Sequence, residues 1–410
     1  MFVSVSLQLW NFLEKIHREH QNAWEVEFKN PCALYGNACE SVSKYFYIVG
    51  VERFRSEYSR INARLIFLVV DLVLYLVLSV WCILELWGDM VDVIFCIVTI
   101  GVAFQGFIKM ICFTSMSIYD LHQSNLQFYS KISKFPEVRR SLLNTATHCK
   151  IAVRVLEMCY PYIASLILIL PMIISLMYHS YELPFGFFFP VIDRETLIGY
   201  LINYAYHALQ LFEAIAGLMA SDMCFFVLIM SGVGQLDVLI IYLQKLGEIT
   251  MKCDGSQKND EQYQLLVEIV EKHVEHIAYL NKMETLKKNY FFGNFGCLIF
   301  ETVTSLYVIA TVDEIWYPGF IIVFGGIIQI GLPCVLGTLL SNKNDQLIRE
   351  IYNTPWNMLS VSEQKLLQLL LHSAQNPVVL SDGFCPINLF NFVSIYKKIY
   401  SFLMMLLSIN

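Results

Sequence analysis

Seven apolar runs, each near bilayer-crossing length, dominate this 410-residue chain, at 62–86, 90–113, 153–178, 197–233, 290–312, 317–340 and 384–409. About 20 apolar residues in helical conformation cover the roughly 30 Å of a bilayer's hydrocarbon core. Lipid offers the backbone no hydrogen-bond partner, so a chain of such runs folds as an all-α bundle. Composition agrees with this. Hydrophobic residues make up 56% and charged residues 15% of the chain, against about 25% charge in soluble domains, and the mean hydropathy is +0.54. A soluble enzyme is excluded on this ground. A net charge of −7 without a basic block argues against a nucleic-acid partner.

Lysine and arginine placement orients the bundle. With the connections assigned alternately to the two sides, every Lys and Arg lies on one side except Arg194 and the pair Lys397–Lys398 inside the last run. The positive side is cytoplasmic, so the N-terminus is expected inside and the C-terminus, after seven spans, outside. Met1 to Trp10 lacks the basic n-region and small-residue cleavage site of a signal peptide. Two cytoplasmic connections carry helical periodicity. Residues 262–286 place Leu265, Leu266, Ile269, Val270, His273, Ile277 and Leu280 on one face, and 359–376 do the same with Val361, Leu366, Leu367, Leu370 and Leu371. The expected organisation is a cytoplasmic N-terminal segment at 1–61, spans 1–4 at 62–233, a cytoplasmic helical extension at 234–289, spans 5–6 at 290–340, a cytoplasmic anchor helix at 341–383 and span 7 at 384–410. The most linker-like stretch is Cys253 to Gln262.

Catalytic motifs are missing from the sequence. The twelve cysteines form no CxxC pair, and most sit inside apolar runs as small hydrophobes. His273 and His276 share a helix face, yet no third metal ligand stands out, and they read as the wet side of an amphipathic helix. No nucleophile elbow, phosphate loop or HExxH occurs. Neither enzyme activity nor a cofactor or metal is expected.

Polar residues within the spans say more. Asp71 and Glu213 are acids in apolar surroundings, read as a paired carboxylate joining helices or as part of an ion pathway. Lys397 and Lys398 lie about 12 residues before the end of the last span. Neighbours on a helix point about 100° apart, so at least one lysine must face water or a partner, as in a pore vestibule. Beyond them Met405, Ser408 and Ile409 share one helix face and would form an apolar constriction if that face lines a pore. The outer halves of spans 2, 3, 4 and 6 supply Phe95 and Val98, Leu168, Met172 and Ser175, Asn203, Tyr204 and His207, and Phe320 and Phe324. An apolar cavity with a few convergent donors is what a small volatile molecule requires, and its chemistry is expected to be weakly polar, as in an ester, terpenoid or aldehyde.

Three stretches carry a family resemblance. They are Glu182-Leu183-Pro184-Phe185 with Phe189-Pro190 and Tyr204-Ala-Tyr206-His207, the segment Tyr352, Trp356, Leu370 and His372 to Pro377, and the end Phe392, Ile395, Tyr396, Lys397, Lys398, Tyr400-Ser401-Phe402. In these the chain resembles an insect odorant receptor. The resemblance implies a ligand-gated, non-selective cation channel in the plasma membrane of a sensory dendrite, with four subunits around one pore lined by span 7. It also implies an anchor built from the cytosolic extensions, and a gate at Met405, Ser408 and Ile409. The connection between spans 4 and 5 is short for the co-receptor of that family, so the chain is similar to a ligand-tuned subunit that assembles with co-receptor subunits. Leu403 and Met404 depart from the family pattern, which prefers an aromatic at the first position and often Thr at the second. A gustatory receptor shares the fold, but its terminal Gln is not clearly matched here. A G-protein-coupled receptor would need an outside N-terminus, and a transporter would need inverted repeats.

Overall fold

The structure, a computed structural model, describes residues 30–409 apart from residues 53, 55–57, 60, 116–117, 132–134, 253–257 and 313–315, with backbone only at residues 115, 252, 258–260, 285–289 and 409. Met1 to Trp10, with much of the expected N-terminal segment 1–61, lies outside the described residues, as does half of the linker-like stretch at 253–262. Among the described residues the fold is all-helical. The helices are α1 (Pro31–Ile48), α2 (Ala63–Glu85), α3 (Met90–Ser115), α4 (Ile118–Ser130), α5 (Pro136–Tyr178), α6 (Leu197–Lys252), α7 (Lys258–Thr311), α8 (Tyr317–Asn353), α9 (Val361–Gln375) and α10 (Leu389–Ile409).

Six helices contain stretches long and apolar enough to cross a membrane: α2, α3, α5, α6, the Tyr290–Thr311 part of α7, and α8. They coincide with the first six apolar runs. The seventh run forms α10, 21 residues long, whose tandem lysines make it less apolar than the others. Four helices far outrun a bilayer. At 1.5 Å per residue the 56 residues of α6 extend about 84 Å, more than twice the hydrocarbon thickness, and α5, α7 and α8 have 43, 54 and 37 residues.

The surplus lengths collect at one end, the anchor end. There Lys245 of α6 pairs with Glu137 of α5 at 2.8 Å, and Lys343 of α8 pairs with Asp237 of α6 at 2.6 Å. Asn344 of α8 donates to the Ala374 carbonyl of α9 at 2.9 Å. Helix α9 starts with a capping box, in which Ser360 and Glu363 satisfy each other's backbone amides. The expectation of a wet histidine face does not hold, because His273 and His276 are both buried. His276 Nδ1 donates to Gln235 Oε1 at 2.9 Å. Gln235 in turn reaches Asn125, whose amide donates to the hydroxyls of Tyr35 and Tyr279. This chain of bonds crosses α7, α6, α4 and α1 at the anchor's centre.

Helix α10 packs against α7 and α8. Asn391, Ile395 and Ile399, spaced four apart, form its buried face. Its entry is fastened to α8 by two contacts. The Leu389 amide donates to Thr338 Oγ1 at 2.9 Å. Gly337 lies so near the Ile387 carbonyl that a Cβ there would stand 1.9 Å from the oxygen, so only glycine admits this approach.

Two histidines outside the apolar stretches, the buried His276 and the half-buried His122, make the fold acid-sensitive. Burial lowers His276 to about 3 and His122 to about 4. Below the ordinary value near 6.5 the unfolded chain takes up a proton that the buried ring refuses. Stability conferred at neutral pH is therefore lost as pH falls toward the folded value, at about 1.4 kcal/mol per pH unit for each such ring. The unfolding temperature in detergent should be lower at pH 5 than at pH 7.5. His122→Phe should remove part of that difference, since His122 Nδ1 has no hydrogen-bond partner and its ring packs against Tyr35 and Phe54. Equal unfolding temperatures at the two pH values would contradict this.

Candidate functional site: a cavity along the third helix

A cavity of about 310 Å³ lies between α2, α3, α5, α6, α7 and α8. Along α3 its walls run from Phe95 through Thr99, Val102 and Gly106 to Lys109 and Phe113. Eighteen residues of helix separate the first from the last, about 27 Å. The cavity is thus not confined to the outer half where the sequence placed it. Its walls are mainly apolar, and it is of the size that small ligands occupy.

At the end away from the anchor, the loop between α5 and α6 folds inward as a plug. Pro184 and Phe185 line the cavity, while Phe187 and Phe188 are buried. Several sequence-selected residues fasten this plug. Asn203 Oδ1 accepts from the Phe189 amide at 2.8 Å, and His207 Nδ1 accepts from the Phe185 amide at 3.4 Å. Ser175 Oγ accepts from the Glu182 amide at 2.8 Å. Cys82 and Cys96 bond the Phe188 and Gly186 backbone. Gly186 lies against the Phe95 ring, where a Cβ would come within 3.0 Å of Cδ1.

Of the ten residues selected for the pocket, Phe95 lines the cavity. Val98 is buried beside it. Asn203, His207 and Ser175 hold the plug, and Tyr204 donates to the Leu168 carbonyl, which joins those two helices. Met172, Phe320 and Phe324 are exposed on the outside of the single chain. Lys397, Lys398, Met405 and Ser408 of α10 are exposed on the single chain, while the side chain of Ile409 lies outside the described residues.

The cavity's polar groups come from residues that the sequence reading mostly passed over. Asp71 of α2 and Glu213 of α6 do meet, with carboxyls hydrogen-bonded to each other, and Gln210 donates to Asp71 as well. A second cluster is larger. Lys109, which looked like a span-end residue, is 5% exposed within the bundle, 3.4 Å from Asp222 of α6. Tyr160 of α5 donates to the other Asp222 oxygen. Gln329 Oε1 on α8 accepts from Lys109 at 3.5 Å and from Gln105 at 2.8 Å, and Gln105 also donates to Asn294 at 2.9 Å. Glu301 of α7 completes the wall. Asp222 and Glu301 are acids inside the fourth and fifth apolar runs, so the criterion that singles out Asp71 and Glu213 applies equally to them.

Removing one member of a buried ion pair strands the other, at about 3–5 kcal/mol. Lys109→Met should therefore sharply reduce folded protein at the cell surface. Adding Asp222→Asn, which still accepts from Tyr160, should restore much of it. Surface labelling of the single and double variants checks this, and equal loss in both would count against the pairing.

Comparison with known proteins accords with this architecture. The family model described as 7tm Odorant receptor matches residues 88–400. Odorant receptor 94a of Drosophila melanogaster is 34% identical over 85 residues, 20% of this chain and 22% of that protein. Odorant receptor 82a of the same fly is 24% identical over 237 residues, 56% of this chain and 58% of that one. The chain thus spans from about a fifth to just over half the length of these curated relatives. In three dimensions it is similar to the insect olfactory receptor OR5 from Machilis hrabei, solved both alone and in complex with eugenol, with a TM-score of 0.73 at 18% identity over 92% of this chain and all of that one. With a family match across most of its length on an all-helical, multi-pass membrane architecture, this chain belongs to the odorant receptor family of insects.

Proposed function

We propose that this chain is the ligand-tuned subunit of an odorant-gated cation channel in the plasma membrane, with its N-terminus in the cytoplasm and its C-terminus outside. The observation that carries the reading is the cavity of about 310 Å³, apolar over most of its wall, inside a chain of the odorant receptor family. A small, weakly polar volatile occupies it. Entry of such a molecule removes its apolar surface from water and is favourable without any charge on the ligand.

Helix α8 supports the link from ligand to pore. Ile321, Ile322, Gly325 and Gln329 line the cavity, and Gly337 and Thr338 of the same helix hold the start of α10. In this reading α10 lines the shared pore. Lys397 and Lys398 face a water-filled vestibule, and Met405, Ser408 and Ile409 form the gate. The exposed apolar side chains on that side of α10, among them Met404 and Met405, face neighbouring subunits and the pore. The connection between the fourth and fifth spans, 234–289, is short, which favours a tuned subunit assembled with co-receptor subunits in a tetramer.

Whole-cell recording tests this directly. Cells expressing the chain with an insect olfactory co-receptor should give fast odorant-evoked cation current under G-protein blockade, and cells lacking the co-receptor should not. Phe95→Ala, at the cavity wall, should raise the effective agonist concentration about tenfold, the scale of a lost apolar contact. A response seen only when G-protein signalling is restored would replace the channel reading with a metabotropic one.

A further inference from the structure

We infer that the cavity selects a volatile bearing a hydroxyl group, an alcohol or phenol, and that Glu301 is the residue that receives it. This rests on reading the cavity as the ligand site and names the ligand's chemistry there. Glu301 lies on α7 within the membrane-crossing stretch, is 3% exposed, and lines the cavity. Its Oε1 has no hydrogen-bond partner. A buried carboxyl oxygen left unpaired is costly, and such a group in a cavity wall marks a place where a ligand completes the bonding.

Several described donors on the facing helices and on α7 are already engaged. Lys109 donates to Asp222 and Gln329, and its charge acts on Glu301 without a hydrogen bond to it. Gln105 Nε2 donates to Asn294 and Gln329. Thr302 donates to the Leu298 carbonyl of its own helix at 2.7 Å, and Thr99 to the Cys96 carbonyl at 2.9 Å. Geometry holds the carboxyl in place. It packs against Gly101 of α3, where an added Cβ would stand 3.0 Å from Glu301 Cγ and 3.3 Å from Oε1. The glycine therefore provides the room that the acid occupies.

The ligand class follows from what a carboxyl offers. In either protonation state it keeps at least one accepting oxygen, so a hydroxyl can always donate to it. Ethers, esters and ketones carry acceptors only and are held only by a protonated acid. A charged ammonium would bring its own desolvation cost into an otherwise apolar cavity. A hydroxyl on an apolar skeleton satisfies Glu301 and leaves the remaining wall in apolar contact.

The test reads binding rather than current, so its failure leaves the channel reading standing, and a silent channel leaves the preference measurable. The full chain, purified in detergent with co-expressed co-receptor, is titrated with matched sets on straight-chain, terpenoid and aromatic skeletons. Each set contains the alcohol or phenol, its methyl ether and its acetate ester, and thermal stabilisation gives each Kd. The hydroxyl member of at least one set should bind about tenfold or more tightly than its ether, the scale expected where a site built for a hydroxyl meets an analogue lacking one. Glu301→Gln, which accepts from a hydroxyl but also offers an N–H to an ether or ester, should narrow the preference, and Glu301→Leu should abolish it while leaving ether binding intact. The wild-type sets decide the ligand class even where Glu301→Leu does not fold. Gly101→Ala, which crowds the acid, then carries the residue assignment by weakening the hydroxyl member selectively. Equal affinities within every set, tighter binding of ether or ester, no stabilisation by any hydroxyl compound, or a preference surviving Glu301→Leu or Gly101→Ala would each overturn the inference.

Discussion

The architecture depends on how α6 disposes of its polar side chains. This helix is the most enclosed of the membrane-crossing set, with 83% of its most apolar stretch buried. A polar group in such surroundings must find a protein partner, because neither water nor lipid supplies one. Along α6 such groups reach several different neighbours. Gln210 binds Asp71 of α2, Asp222 binds Lys109 of α3 and Tyr160 of α5, Gln235 binds His276 of α7, and Asp237 binds Lys343 of α8. Apolar packing alone would let these helices slide or rotate with little penalty. The polar pairs specify one register, since a shift would strand several buried groups at once.

This ladder also explains where the cavity lies. Leu211, Glu213, Ala214, Ile215, Gly217 and Leu218 of α6 line it between the Gln210–Asp71 bond and the Asp222 cluster. Polar pairs fix the wall at both places while apolar side chains line the space between them. The plug loop closes the far end through backbone bonds to Asn203, His207 and Ser175. Those residues shape the chamber without lining it. Helix α8 contributes both to the chamber wall and to the seat of α10, so the cavity and the proposed pore helix share one element.

Much of the fold was legible in the sequence because hydrophobic length is a local property. The seven apolar runs became helices at nearly the expected positions, and the periodic stretches around 262–286 and 359–376 became the lower part of α7 and α9. Local patterning was less reliable where a residue type fits two environments. His273 and His276 alternate with glutamates, as on a wet helix face, yet both are buried because other helices cover that side. Lys109 stands near the end of an apolar run, as a snorkelling lysine would, but an acid on α6 draws it inside.

The candidate site shows the same division more sharply. Asn203, Tyr204 and His207 are polar residues at the start of a span, and nothing local distinguishes a ligand donor from a side chain already bonded to a folded loop. Only the tertiary structure brings the loop at 185–189 against them. Likewise the sequence marks Asp71, Glu213, Asp222 and Glu301 as costly in an apolar run, because burial of a carboxyl is unfavourable whatever surrounds it. Which of them finds a partner is a matter of three-dimensional neighbours. Asp71 and Glu213 meet each other, Asp222 meets Lys109, and Glu301 Oε1 meets none. The sequence by itself determined a helical membrane bundle and the acids it must accommodate, since length and hydropathy act residue by residue. Helix packing decided which acids are paired and which one keeps an unpartnered oxygen in the cavity wall, since pairing requires side chains far apart in the chain to arrive within hydrogen-bond distance.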